Sequence, residues 1–241
     1  MATAPAEAEV KATVVRYLAS KNVPPTQAWL RDFMPSIRLN TPMVALQKTA
    51  LFRILSTDLT VAVQPPSPNA LFPANVASPE VKDRKLNGQI TVQVLDIEDI
   101  GHSCWSQVEN LEAIERGEMT KGREVIRVVD DELNTDQNRT PANNPSISSG
   151  PHKLLIQDAK GTKAFAFESE FVTGIGVSQL SIGGKLVLND ALVARGVIML
   201  DRRAVEVLGG KVEAWDKKWR ADRKESLKRK AGVTDGAGGG T

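Results

Sequence analysis

The run Leu86-Asn87-Gly88-Gln89-Ile90-Thr91-Val92-Gln93-Val94 decides the fold, because its apolar and polar side chains alternate. Period-two alternation reads as a half-buried strand. A second strand opens at His152-Lys153-Leu154-Leu155-Ile156-Gln157-Asp158. Gly161 in Asp158-Ala159-Lys160-Gly161-Thr162 then signals a hairpin into a third strand, where Phe165 and Phe167 alternate with Ala164 and Ala166. Residues 171–181 read as a short connecting helix or an irregular crossover. Gly183-Gly184 leads into a fourth strand, Lys185-Leu186-Val187-Leu188, and Gly196-Val197-Ile198-Met199-Leu200 is a fifth. Val205-Glu206-Val207-Leu208 finishes the barrel or packs beside it. Five short strands, with the long way round between the third and fourth, match the element count of an OB-fold, a five-stranded Greek-key barrel. Other small barrels fit the same pattern.

More than fifty residues, about 99–150, separate the first two strands. Compact domains seldom keep a connection of that length unless it is functional or disordered. Its two halves differ. In the first, Ile100, Cys104, Trp105, Val108, Leu111 and Ile114 fit a short helix or turn on the barrel edge, and Val125, Ile126, Val128 and Val129 read as a strand-like patch. Apolar residues there need a partner surface, on this chain or another. The second half, Asn134 to Gly150, is rich in Asn, Ser, Thr and Pro and reads as a mobile tether. A contact with a partner surface is therefore expected between Ile100 and Leu133, with Trp105, Arg123 and Arg127 as anchors.

Outward from the barrel, residues 1–63 read as a three-helix bundle. Val10, Val14 and Leu18 mark one face, and Thr26 caps a second helix carrying Trp29, Leu30 and Phe33. Asn40 or Thr41 caps a third, with Pro42 in its first turn. Residues 64–85 hold five prolines and form a connector, with Leu71, Phe72 and Val76 as anchors. After the barrel at 86–210, residues 211–230 form a helix with nine Lys/Arg against four Asp/Glu, and Val212, Trp215 and Trp219 on one face. The Gly-rich residues 231–241 are expected to be disordered. The fold class is α+β.

The totals are ordinary: 241 residues, 41% hydrophobic, 25% charged, net charge +2. One cysteine and two histidines cannot build a Cys/His zinc cluster or an intrachain disulfide. No run of about 18 apolar residues suggests a membrane span, and neither a metal nor a cofactor is expected.

Several stretches together resemble a known family. They are Leu86-Asn87-Gly88, Ser106-Gln107 with Val108 and Leu111, Gly122-Arg123-Glu124-Val125-Ile126-Arg127, Gly183-Gly184-Lys185-Leu186, and above all Val205-Glu206-Val207-Leu208-Gly209-Gly210-Lys211-Val212-Glu213. In order and spacing they resemble the N-terminal region of the RecQ-mediated genome instability protein 1 family, in a fungal form. The resemblance implies a nuclear, non-catalytic partner of a type IA topoisomerase of the topoisomerase III class, acting with a RecQ-family helicase in double Holliday junction dissolution and decatenation. It also implies that the insertion enters the topoisomerase gate. Ile100, Trp105, Val108, Leu111, Arg123, Val125, Arg127 and Lys185 are then the candidate partner contacts.

Other features weigh against stronger chemistry. The regular alternation at Phe165 and Phe167 places both in the barrel core with Ala164 and Ala166 outward, which leaves no platform for bases and makes single-strand binding the weaker alternative. Lys185, freed by two glycines, is either a partner contact or a solvated lysine. Lys228, Arg229 and Lys230 touch phosphates, act as an import signal, or are solvated helical charge. His102 and Cys104 would share a strand face as base and nucleophile, but no orienting group accompanies them. Asp96, Glu98 and Asp99 lack a recognised cation-loop spacing. An interaction module is expected rather than an enzyme, with DNA contact weak or indirect.

Overall fold

Strand β2 (Gln89–Asp99) carries the fold, and its burial pattern shows how. Ile90, Val92 and Val94 are buried, and so are Ile97 and Asp99, so the inward set moves from even to odd positions. A one-residue slip normally turns a strand inside out. Here the register shifts between Val94 and Asp96, and the bulge absorbs the extra residue. The bent strand therefore serves two partners, β5 (Lys185–Asn189) along its first half and β3 (His152–Asp158) along its second. The structure is a computed structural model that describes residues 4–37, 41–116 and 150–232.

Among the described residues one sheet holds eight strands rather than the five expected. They are β1 (Asp83–Lys85), β2, β3, β4 (Lys163–Glu168), β5, β6 (Leu192–Ala194), β7 (Val197–Leu200) and β8 (Val205–Gly209), in the order β1-β6-β7-β4-β3-β2-β5-β8. The pairs are antiparallel except β4 with β7. Four residues, Asp201 to Ala204, separate β7 from β8, which keeps their facing ends within about 18 Å. The sheet must therefore curl until its β5–β8 end approaches β7. The short strands β1 and β6 escaped the sequence pattern because three residues are too few to show an alternation.

The core inverts one expectation. Ala164 and Ala166 are buried, whereas Phe165 is 46% exposed and Phe167 half-buried. Ala166 lies between Leu154 and Ile198, and Ala164 faces Ile156, so a methyl group fills the space these larger chains leave. The aromatic rings take the outer face. Phe72 and Val76 of the connector join the barrel core, and the Phe72 amide donates to the buried Asp158 carboxylate at 2.9 Å. Asp158 also accepts the amides of Lys160 and Thr162, which fixes the β3–β4 hairpin.

Among the described residues the N-terminal part has four α-helices rather than three: α1 (Ala4–Ser20), α2 (Gln27–Phe33), α3 (Met43–Leu55) and α4 (Leu59–Ala62). Thr26 caps α2 as expected, its hydroxyl accepting the Trp29 amide at 3.1 Å. At α3 the cap position is Pro42, with no side-chain cap bond. The additional α4 is one turn, capped by Asp58. These helices enclose their own apolar core, in which Trp29 and Phe33 stack at 4.8 Å. Two further helices, α5 (Cys104–Glu115) and α6 (Glu213–Lys230), pack against each other beside the barrel.

The two cores meet through polar side chains. Outward-facing Gln93 is fully buried; it donates to Asp58 at 2.7 Å and to Gln157 at 3.1 Å, and accepts the Leu59 amide at 2.9 Å. Thr91 donates to the Asn22 carbonyl. Two polar positions of the opening stretch, Thr91 and Gln93, thus face the helices rather than water, while Asn87 and Gln89 stay exposed.

Candidate functional site: the root of the barrel insertion

The insertion leaves β2 and returns to β3 through a narrow neck. The Ile100 amide donates to the Pro151 carbonyl at 3.0 Å. A Cβ on Gly101 would run into the Gly150 carbonyl, so only glycine permits this approach. The outgoing side is tied by Asp99, whose carboxylate accepts the Gly101 amide at 2.9 Å and sits 2.9 Å from His102 Nδ1. Ser103 caps α5 by accepting the Ser106 amide at 3.1 Å. Gln107 then reaches back, donating to the carbonyls of Asp99 at 2.9 Å and His102 at 3.0 Å.

The returning side is held by a buried pair. His152 Nδ1 lies 2.5 Å from Glu168 Oε2, and both side chains are shielded from solvent. Glu168 also accepts the amides of His152 at 3.1 Å and Val172 at 2.8 Å. Each end of the insertion is therefore fixed by a carboxylate that satisfies local backbone donors.

Helix α6 clamps the root from outside. Trp215 and Trp219 pack on the barrel core, and Trp219 Nε1 donates to Asp96 at 2.7 Å. Asp216 accepts the Ile182 amide at 2.9 Å and the Arg220 guanidinium at 2.9 Å. Burial opposes its ionisation, but those two donors outweigh it and hold the carboxyl below the usual range. Arg223 lies over the Trp219 ring at 4.9 Å and donates to Gln107 at 3.0 Å. Its burial lowers the guanidinium pKa, which Asp99 and Asp96 oppose. Lys224 pairs with Glu115 at 2.7 Å and Glu112 at 3.4 Å, and Lys228 with Glu112 at 3.5 Å. The Lys224 bond is the main reason the Glu112 carboxyl is held below its ordinary value. Between α6 and β2 lies a cavity of about 700 Å³, lined by Asp96, Glu98, Asp99, Cys104, Trp215 and Trp219 among others.

The expected contact residues separate into three groups. Ile100 and Trp105 are 46% and 47% exposed, and Ile114 is 55% exposed, so the root carries apolar side chains in water. Leu111 is half-buried and Val108 fully buried, so Val108 holds α5 in place rather than offering a surface. Arg123, Val125 and Arg127 lie outside the described residues.

Lys185 corrects its expectation of a free side chain. It is fully buried, and Nζ donates to the carbonyls of Leu55 at 2.8 Å, Thr57 at 2.7 Å and Gly183 at 2.6 Å. The two glycines aim the ammonium at the end of α3 instead of at solvent. Of the terminal basic run, Lys230 pairs with Glu98 at 2.7 Å and Lys228 with Glu112, while Arg229 is exposed. His102 is turned to Asp99, and Cys104 lines the cavity. Sequence reasoning missed the Arg223–Gln107 bond and the His152–Glu168 pair, because each joins side chains from different elements.

The architecture defines an OB-fold with a helical domain before it and a long insertion between its first two barrel strands. Residues 72–223 match the family model described as RMI1, N-terminal OB-fold domain, and residues 18–61 match RMI1, N-terminal helical domain. The chain belongs to this family. It is similar to RecQ-mediated genome instability protein 1 of Schizosaccharomyces pombe, with 32% identity over 143 residues, covering 55% of this chain and 60% of that protein.

Proposed function

We propose that this chain is a non-catalytic adaptor that binds a type IA topoisomerase of the topoisomerase III class in the nucleus. With a RecQ-family helicase in the same complex, it supports double Holliday junction dissolution and decatenation. The barrel is the mount, and the insertion biases the topoisomerase gate through contacts that differ between open and closed states. Family membership supports the reading, and the name of the S. pombe relative ties that protein to RecQ. The observation that carries it is the neck. An insertion braced at both ends, with Ile100, Trp105 and Ile114 exposed at its root, suits presentation to another protein. The basic residues at the end of α6 are largely paired within the chain, which fits weak or indirect DNA contact.

The test is to replace residues 117–149 by a Gly-Ser linker while keeping α5. The helix spans about 18 Å, so about 12 linker residues suffice to return to Gly150. Topoisomerase binding and decatenation are measured separately. Binding is expected to survive and decatenation to change; no effect on either would sink the gate role.

A second reading, single-strand binding, draws on the outward position of Phe165 and Phe167. It requires a salt-dependent affinity of the isolated chain for short oligonucleotides.

A further inference from the structure

Among the described residues, the outer face of β3, β4, β7 and β6 is left bare where the helical domain and α6 stop. Cross-strand register aligns its side chains in two rungs. In one, Leu155 stands beside Phe165 and Phe165 beside Val197. In the other, Lys153 stands beside Phe167, then Met199, then Leu192. Phe165 and Leu192 are each 46% exposed. Phe165, Phe167, Val197 and Met199, with Lys153, line a shallow pocket of about 350 Å³. The Lys153 ammonium lies 4.5 Å from the Phe165 ring centroid.

We propose that this face is where the barrel docks on its topoisomerase partner, the pocket receiving one large apolar side chain flanked by carboxylates. The assignment rests on the adaptor reading and names the surface that serves it. Three observations commit it to a protein. First, the face begins at Lys153, one residue after the insertion returns at His152, so a protein engaging the insertion root reaches it without a gap. Second, the neighbouring carboxylates on the same rungs are already used: Asp96 accepts from Trp219 and Glu98 pairs with Lys230. Lys153 and Lys163, by contrast, have no carboxylate partner among the described residues, and so remain open to an acidic rim on the partner. Third, Asp83 closes the Phe165 rung at the far edge, and a polyanion would need a row of cations where this face alternates apolar side chains with mixed charge. An aromatic anchor in an apolar pocket is the usual centre of a protein interface.

The test uses the full chain and purified topoisomerase III. Phe165→Glu and Met199→Glu are each expected to weaken binding roughly tenfold or more. The thermal midpoint of Phe165→Glu should hold, because Phe165 already faces water, whereas the half-buried Met199 accepts some loss of stability. Phe165→Ser serves if the charged change perturbs folding. A photo-crosslinking p-benzoylphenylalanine in place of Phe165 is expected to capture the topoisomerase. Unchanged affinity in both glutamate variants, with capture only when the crosslinker replaces Trp105 or Phe52, an exposed ring on α3, leaves the adaptor reading standing and overturns this face. Oligothymidylate bound by the wild type and lost in Phe165→Ser, with topoisomerase affinity kept, reassigns the face to nucleic acid and overturns it too. A wild type that fails to bind topoisomerase overturns the adaptor reading and this assignment together.

Discussion

An ammonium group without water must find acceptors, and Lys185 has three carbonyl oxygens within 2.8 Å. Burial still pushes its pKa down to about 8, with Asp58 pulling the other way. The unfolded chain holds its lysine protons to about 10.4, so between the two values the unfolded state binds the extra proton. Stability contributed by this group therefore rises with pH across that window. Lys185→Met removes the ammonium and strands the Leu55, Thr57 and Gly183 carbonyls, at a cost of about 1–3 kcal/mol for each left buried and unsatisfied. Urea unfolding at pH 7.5 should show that loss, and the gap between wild type and variant should widen toward pH 10. A gap that narrows would contradict a depressed lysine pKa in the folded state. Lys185 also shows what a residue-scale reading of sequence lacks. The glycines before it were legible as a turn, but not what the turn points at. The same holds for Phe165 and Ala166, where alternation reveals two faces without saying which is inside. That choice was made by the volume between Leu154 and Ile198, neighbours supplied by other strands.

At the scale of elements, α5 is held by polar contacts more than by apolar burial. Only Gln107 and Val108 are buried along it, and its anchors are the Arg223–Gln107 bond and the Lys224 and Lys228 pairs. Exposed pairs of this kind are worth under about 1 kcal/mol each. Lys224→Glu should therefore leave global stability nearly unchanged yet speed hydrogen exchange in α5 several-fold, more so in low salt where like charges now face each other. The return side behaves differently. Glu168 is buried and accepts from two backbone amides and the His152 ring, so Glu168→Ala should cost about 3 kcal/mol in urea unfolding. A loss below about 1 kcal/mol would mean the neck is not fixed by this pair. The helix in the insertion was legible from Cys104, Val108 and Leu111 as one of two options. Its clamp was not, because Arg223 and Gln107 are 116 residues apart.

Across the whole molecule, the helical and barrel cores are separate apolar clusters joined by an unusually polar seam. Sequence divided the chain between them through the prolines, but the alternation at Thr91 and Gln93 did not say what those side chains face. Both are buried against the helices, with Lys185 beside them and Leu208 packed on the helical core. Removing one side of the seam exchanges each of its hydrogen bonds for one to water, a net loss of about 0.5–1.5 kcal/mol apiece. The barrel should thus depend on the helices although its own core is complete. The full chain is expected to unfold in one calorimetric transition, with van't Hoff and calorimetric enthalpies equal. A fragment of residues 64–232 should fold but melt lower. If the full chain shows two transitions, with the fragment matching the upper one, the seam does not couple the domains. The insertion would then sit on a barrel that moves independently of the helices before it.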